Sequence, residues 1–268
     1  MLRRGLADGS LLTSSWAAPC IALRRESSLQ HSMILVASVT YDGEEYALDT
    51  MLDALKAQTH PDFDVLFVDN SASDWYQRRL EQALERRFPG RWTVLRARGE
   101  GRFGRILASR KAARDFVLEN KYQSVLFVDS DVIIPPETLT TFLQSGAELA
   151  TGVYLNVFSQ QGSPRIQPCI FIDVNGKARR ATLREVLENE CLSIGAAGLG
   201  CTFVARRIIE ACPFRLNARG AGEDILFYRD AVAQGAKPVA LTSIRCLHMH
   251  FPAGDPRNKR FDAARYRL

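Results

Sequence analysis

The stretch Val125-Leu-Phe-Val-Asp-Ser-Asp-Val132 passes abruptly from an unbroken apolar run to a pair of carboxylates. An apolar run of that length suits a strand covered on both faces, as in a parallel sheet packed between helices. Its polar end then falls at the carboxyl edge of the sheet, where such folds bind ligands. Asp129 and Asp131, at i and i+2 of an extended segment, point to one side. Hard divalent cations take oxygen donors of this kind and share them with substrate phosphates. The plainer alternative is an Asp-rich turn that caps the next helix.

Upstream, Ile34–Thr40 is another continuous, β-branched run, followed by Leu48, Met51, Leu52 and Leu55 at helical spacing. A second buried strand is predicted over 63–68 and ends at Asp69-Asn70-Ser71. Helical periodicity returns from Tyr76 to Phe88, a short strand covers 92–95, a helix 106–118, and a strand 124–128. Repeated strand–helix alternation predicts an α/β fold with a mostly parallel central sheet and helices on both faces. The strand ends Thr40-Tyr41-Asp42, Asp69-Asn70-Ser71 and Asp129-Ser130-Asp131 form the predicted binding rim. Beyond Pro135-Pro136 come a helix over 137–144 and a strand over 149–155. Residues 157–195 are less regular, with an Asn175-Gly176 turn and a short helix over 183–187. A strand over 201–205, a helix over 223–234 stopped by Gly235, and a strand over 239–246 lead to His248-Met249-His250.

The 268 residues suffice for one α/β domain with a full core, and an apolar fraction of 46% with 24% charge is ordinary for a globular chain. A net charge of +5 suits an anionic substrate or a membrane surface and is too small to argue for nucleic acid. Six cysteines without a C-x-x-C pair are read as reduced thiols of a cytoplasmic protein. No apolar run reaches membrane-spanning length, so any membrane contact is expected to be peripheral. Residues 1–32 combine Arg3, Arg4, Arg24 and Arg25 with serines, but Asp8 and Glu26 spoil a transit-peptide pattern. They are read as an extension outside the fold, with Met33 as a candidate start, leaving one domain over 33–252. The tail 253–268 carries Arg257, Lys259, Arg260, Arg265 and Arg267. It is expected to be frayed without substrate and to fold over a diphosphate as a lid segment.

Glu223 and Asp224 begin a predicted helix, whose positive end favours ionised carboxylates. The plainer alternative is that both acids merely stabilise that helix start.

The motifs taken together, in order from about residue 33 to 250, resemble the family 2-like glycosyltransferases of GT-A fold. Val125-Leu-Phe-Val-Asp-Ser-Asp-Val132 resembles the family's D-x-D segment, and Thr40-Tyr41 and Val68-Asp69-Asn70-Ser71 resemble its nucleotide-binding strand ends. Gly198-Leu-Gly-Cys-Thr-Phe-Val-Ala-Arg-Arg207 is similar to the glycine turn lining its sugar and acceptor site. Gly222-Glu-Asp-Ile-Leu-Phe-Tyr-Arg-Asp-Ala231 resembles its G-E-D-x-x-F-x-x-R-A segment. The resemblance implies inverting transfer from a nucleoside-diphosphate sugar, with a UDP-sugar favoured, to an acceptor hydroxyl that the sequence does not name. It implies Asp224 as base and Glu223 as the group orienting the acceptor. Mn2+ or Mg2+ would sit at Asp129 and Asp131, with His248 completing the shell and His250 the alternative. Asp69 would accept a hydrogen bond from the base and Tyr41 would pack near base or ribose. Thr40, Ser130, Gly198 and Gly200 would complete the donor site. Arg105 and Arg110 fall where the family has an Arg/Asn-rich helix, although Ser109-Arg110 replaces the common Arg-Asn pair.

Two other readings compete. Gly99-Glu-Gly-Arg-Phe-Gly104 matches G-x-G-x-x-G, the signature of an NAD-type oxidoreductase, at Gly99, Gly101 and Gly104. Against it, Arg96-Ala97-Arg98 separates strand from glycines, and the motif follows the third strand. A catalytically silent GT-A module that binds a nucleotide would carry the same rim.

Overall fold

The computed structural model describes residues 34–160, 162–174, 177–218 and 222–267; the expected N-terminal extension and the Asn175-Gly176 turn lie outside the described residues. The first half alternates β1 (Ile34–Thr40), α1 (Glu45–Lys56), β2 (Phe63–Asp69), α2 (Asp74–Arg87), β3 (Trp92–Arg96), α3 (Gly101–Glu119) and β4 (Ser124–Val128). Next come β5 (Val132–Ile133), α4 (Thr138–Ser145), β6 (Leu149–Val153), β7 (Leu155–Gln160), β8 (Ser163–Pro168), β9 (Ile170–Val174) and β10 (Lys177–Arg180). The chain continues through α5 (Leu183–Glu188), β11 (Cys191–Ser193), β12 (Ala196–Ala197), β13 (Cys201–Ala205), α6 (Arg206–Ala211), α7 (Glu223–Ala233), β14 (Val239–Arg245) and β15 (Leu247–His248).

Eight strands form the central sheet in the order β11-β14-β6-β13-β4-β1-β2-β3. β3, β2, β1 and β4 run parallel, as do β6 and β14, while β13 runs antiparallel to both β4 and β6. Side-chain alternation divides the core. Leu35, Ala37, Leu66, Val68, Val125 and Phe127 face one way, against Val117 of α3, Ile208 of α6 and Phe227 of α7. Ile34, Val36, Val65, Phe67, Leu126 and Val128 face the other, against Leu52 of α1, Leu80 of α2 and Phe142 of α4. Burying each large side chain contributes about 1.5–3 kcal/mol, so a register slip of one residue would exchange two matched faces at high cost.

Chain order reverses between β1 and β4: the chain steps outward through β2 and β3, then returns to place β4 on the other side of β1. A crevice opens at such a point, beyond the carboxyl ends of the strands. The glycine-rich turn follows β3, the outermost strand, and reaches the crevice only through Arg102. Gly101 opens α3 with φ +62, and a Cβ on Gly99 would lie 2.3 Å from the Gly104 carbonyl oxygen. A dinucleotide fingerprint follows the first strand at the sheet's centre, whereas these glycines follow the edge strand, which argues against the dinucleotide reading.

Several boundaries differ from the sequence expectation. α3 starts at Gly101 because the turn glycines lead straight into it. The strand expected over 149–155 divides at Tyr154, β6 joining the central sheet and β7 pairing with β8. The described residues of 157–195 contribute to the β7–β8 pair, to the β10-β9-β12 sheet and to α5, which begins with a Thr182–Glu185 capping box. Their half-exposed strands lack the apolar runs that revealed the core. The tail is docked as well: Phe261 and Ala263 are buried, and the Asn258 amide bonds the backbone of His250, Phe251 and Pro252. These apolar and amide anchors, interleaved with the basic residues, replace the expected frayed end. Cys169, Cys201, Cys212 and Cys246 are buried thiols without disulfides. No helix of the described residues is long and apolar enough to cross a membrane.

Candidate active site

The crevice between β1 and β4 is a cleft of about 480 Å³, a size suited to a cofactor-sized ligand. Thr40 and Tyr41 enter it from the end of β1, Asp129 and Asp131 from the end of β4, and Glu223 and Asp224 from the start of α7. Arg105 and Arg110 of α3, Gly198 and His248 complete the predicted residues on its walls.

His248 is brought in by β15, which pairs antiparallel with β5 so that His248 stands opposite Val132. The Met249 amide donates to the Asp131 carbonyl at 2.7 Å and locks this register. The His248 Nδ1–H donates to the Leu155 carbonyl at 2.8 Å, which leaves Nε2 facing Asp131 Oδ2 at 3.1 Å. Burial pulls the imidazole pKa down, but the hydrogen bond and charge of Asp131 outweigh it and hold it above the ordinary value. Once Nε2 gives up its proton, the imidazole and the Asp131 carboxylate are neighbouring nitrogen and oxygen donors, with the Leu155 carbonyl fixing the tautomer, a pair that suits a divalent cation. Among the described residues no three His, Cys, Asp or Glu side chains already surround one point. A cation here would need further oxygens, which substrate phosphates supply.

The surrounding charge fits a cation as well. Glu44 reaches the same cleft, accepts a hydrogen bond from the Ser130 hydroxyl, and is pushed up to about 8 by burial and by the Asp131 charge. Arg110, only 3% exposed, donates to Asp129 Oδ1 at 2.5 Å, while its Nε and Nη1 have no hydrogen-bond partner. The guanidinium charge lies in the cleft wall, where it favours an anion. Asp224 Oδ1 accepts from the Ile225 amide at 2.7 Å. Burial raises the pKa of Asp224, with Asp129 adding and Arg110 opposing; burial and Asp224 raise that of Glu223. Gly222, with φ +80, makes the left-handed turn that starts α7 and aims both acids inward.

Gly198 and Gly200 are required by Tyr154, which lines the cleft between them. A Cβ on Gly198 would lie 2.0 Å from the Tyr154 hydroxyl; one on Gly200 would lie 2.8 Å from its ring and 3.0 Å from Asp129 Oδ2. Gly200 and Ser130 therefore support the wall from behind. Asp69 also lies below the cleft: it is 0% exposed, Oδ1 accepts from the Ser71 amide at 2.8 Å, and Oδ2 has only the Arg96 charge at 3.7 Å. Its neighbour Asn70 lines the wall instead. His250 stands behind His248, its ring 4.1 Å from both His248 and Phe261, and burial lowers its pKa to about 4. Of the two histidines only His248 faces the cleft.

Glu44, Arg102, Tyr154 and Asn156 line the cleft without having been predicted. Glu44 reads in the sequence as a first-turn helix acid, and Tyr154 hides inside a predicted strand. Only the Glu44–Ser130 bond and the break after β6 reveal them.

Residues 36–190, more than half of the chain, match the family model described as glycosyl transferase family 2. No curated protein matches the sequence. The fold is similar to that of GalNAc-T7 with UDP, GalNAc and Mn2+ (TM-score 0.56, 14% identity, covering 84% of this chain and 45% of that one). It is similar to S. aureus TarS 1–349 in complex with UDP (TM-score 0.52, 18% identity, 78% and 58%). The mannosyltransferase PcManGT from Pyrobaculum calidifontis in complex with GDP-Man and Mn2+ is a third neighbour (TM-score 0.51, 13% identity, 76% and 53%). The chain spans about half the length of these neighbours, and at these identities the likeness is one of fold.

Proposed function

The chain belongs to glycosyl transferase family 2 and has a GT-A fold, and from that premise we propose that it transfers a sugar from a nucleoside-diphosphate sugar to an acceptor hydroxyl. A UDP-sugar is the favoured donor, Mn2+ or Mg2+ the cofactor, inversion the stereochemical course, and the cytoplasm the location. One observation carries the reading: a single cleft at the sheet's switch point gathers Asp129, Asp131, His248, Arg110 and the acid pair Glu223–Asp224. The neighbours crystallised with UDP or GDP-Man support a nucleotide donor, and two of them contain Mn2+.

Asp131 and His248, with Asp129 beside them, would hold the cation, which when bound neutralises charge developing on the leaving diphosphate. The Arg110 charge in the cleft wall suits phosphate oxygens, and Asp129 keeps the guanidinium in place. Asp224 Oδ1 is held by the Ile225 amide, so Oδ2 takes the acceptor proton as general base. Glu223, next in the wall, orients the acceptor hydroxyl. A base and a leaving group on opposite sides of the anomeric carbon give inversion.

The test is a thermal-shift panel of UDP- and GDP-sugars with and without Mn2+, followed by nucleoside diphosphate release and the anomeric configuration of the product. Cation-dependent stabilisation by a nucleotide-sugar, with turnover, is the expected result. Stabilisation without any release would make the chain a silent binding module, and stabilisation by NAD(H) alone would overturn the reading.

A further inference from the structure

Beside the cleft, the β7–β8 hairpin and the β9–β10 pair pack an arginine against two aromatic rings. The Arg180 guanidinium lies 3.4 Å from the centroid of Phe158 and 4.8 Å from that of Phe171. The clamp follows from register: Arg180 of β10 stands directly opposite Phe171 of β9, and Phe158 projects from β7. No carboxylate among the described residues pairs with Arg180. Glu185, the nearest acid in the chain, is taken by Arg179 at 2.5 and 2.9 Å and by Thr182. Arg180 Nε is buried without a hydrogen-bond partner, and burial holds the group below the ordinary guanidinium range. Arg165, exposed on β8, stands opposite Phe158 in the hairpin register, on the same face. Two cations therefore neighbour Phe158, one over its ring and one opposite it in register, and among the described residues neither has a carboxylate ion pair.

The position relative to the cleft gives the clamp a purpose. Phe158 follows the cleft-wall residue Asn156 by two positions on one strand face, roughly 7 Å further along. Cys169, on whose thiol the Arg180 charge acts, packs against the Tyr154 side chain that shapes the glycine wall. A guanidinium lying over one ring and close to a second keeps its terminal N–H groups for a partner in its own plane, the geometry that matches carboxylate or phosphate. Holding the side chain in place beforehand also removes most of the rotamer entropy that binding would otherwise cost.

We propose that Arg180, clamped by Phe158 and Phe171 and assisted by Arg165, binds an anionic group, phosphate or carboxylate, on the acceptor. The acceptor assignment rests on the transferase reading of the cleft; the anion site itself does not. The site selects acceptors that carry a negative charge outside the cleft, beyond the hydroxyl that receives the sugar, and it leaves donor binding alone.

The test follows the Nε–Hε resonance of Arg180 in the full-length protein by 15N NMR, assigned by its loss in Arg180→Lys. Methyl phosphate, acetate and uncharged methyl glucoside are titrated separately. A saturable shift with either anion and none with the glucoside is expected, and the stronger anion identifies the group. Arg180→Gln should weaken anion binding by about tenfold, the loss of one charge-assisted contact, while UDP binding with Mn2+ is unchanged. Arg165→Gln, at an exposed position, should weaken it by a smaller factor and serves should Arg180→Gln not fold. An unmoved Arg180 resonance in the wild-type protein, or equal shifts with glucoside and anions, overturns the proposal. Anion binding without donor binding would fault the transferase reading alone.

Discussion

His248 Nε2 and Asp131 Oδ2 lie 3.1 Å apart although 117 residues separate them in the chain. Every other predicted donor in the cleft is fixed by its own strand end or helix start, but this pair exists only because β15 closes on β5. Replacing either partner therefore tests the cation site directly. Asp131→Ala and His248→Ala should each retain the fold and lose the Mn2+-dependent rise in Tm with UDP. Cation affinity should fall by about 100-fold or more, beyond the loss seen for supporting residues of metal sites. An unchanged manganese response in His248→Ala would remove the imidazole from the site.

Asp224→Asn removes the proposed base and keeps the hydrogen bond from the Ile225 amide. Transfer should drop by roughly 10²–10⁴-fold, with the UDP-sugar Kd unchanged. Simultaneous loss of donor binding would point to a structural role for this acid.

The same carboxyl gives a pH prediction. Burial raises its pKa above the ordinary Asp value, and the base works only when ionised. Activity should therefore fall as pH drops through that raised pKa, so the acid limb of kcat/KM should lie above the ~3.9 of an unperturbed Asp. An acid limb at or below that value would assign the proton acceptor elsewhere.

Gly198→Ala would press a methyl group against the Tyr154 hydroxyl, 2.0 Å from the built Cβ. Overpacking of this kind costs about 1–3 kcal/mol, read as a Tm lowered by roughly 2–12 °C. Tyr154→Phe in the same chain removes the clashing oxygen and should recover part of the loss. Additive effects of the two substitutions would show that the tyrosine is not what requires the glycine.

Phe261→Ala tests the docked tail. The Phe261 ring packs at a tilt against His250, which packs at a tilt against His248. Losing a buried phenylalanine costs about 3 kcal/mol, and cation affinity should weaken by roughly tenfold as the support behind His248 loosens. Calorimetry with Mn2+ and UDP reads both; unchanged affinity in a destabilised protein would limit the tail to a structural part.

The central sheet and most of the acid rim were legible in the sequence because each rests on local chemistry. Apolar β-branched runs such as Ile34–Thr40 form buried strands almost regardless of context, and the polar residues that follow must lie at strand ends. Glu44 was not legible, since its role depends on Ser130 across the β1–β4 crevice. Nor was the aromatic clamp on Arg180, whose three members come from three strands with no apolar run to announce them. The tail misled for a related reason: its basic residues dominate the pattern, while Phe261, Ala263 and Asn258 decide its packing.

The amino-acid sequence by itself determined the layered α/β architecture, the carboxylate-bearing strand ends and the acid pair that starts α7, because periodicity and turn chemistry act within a few residues. Tertiary structure alone decided that His248 faces the cleft and His250 stands behind it, that Arg110 holds Asp129, and that Tyr154 dictates Gly198 and Gly200. Those choices depend on strand register and on contacts between distant segments, which no local pattern encodes.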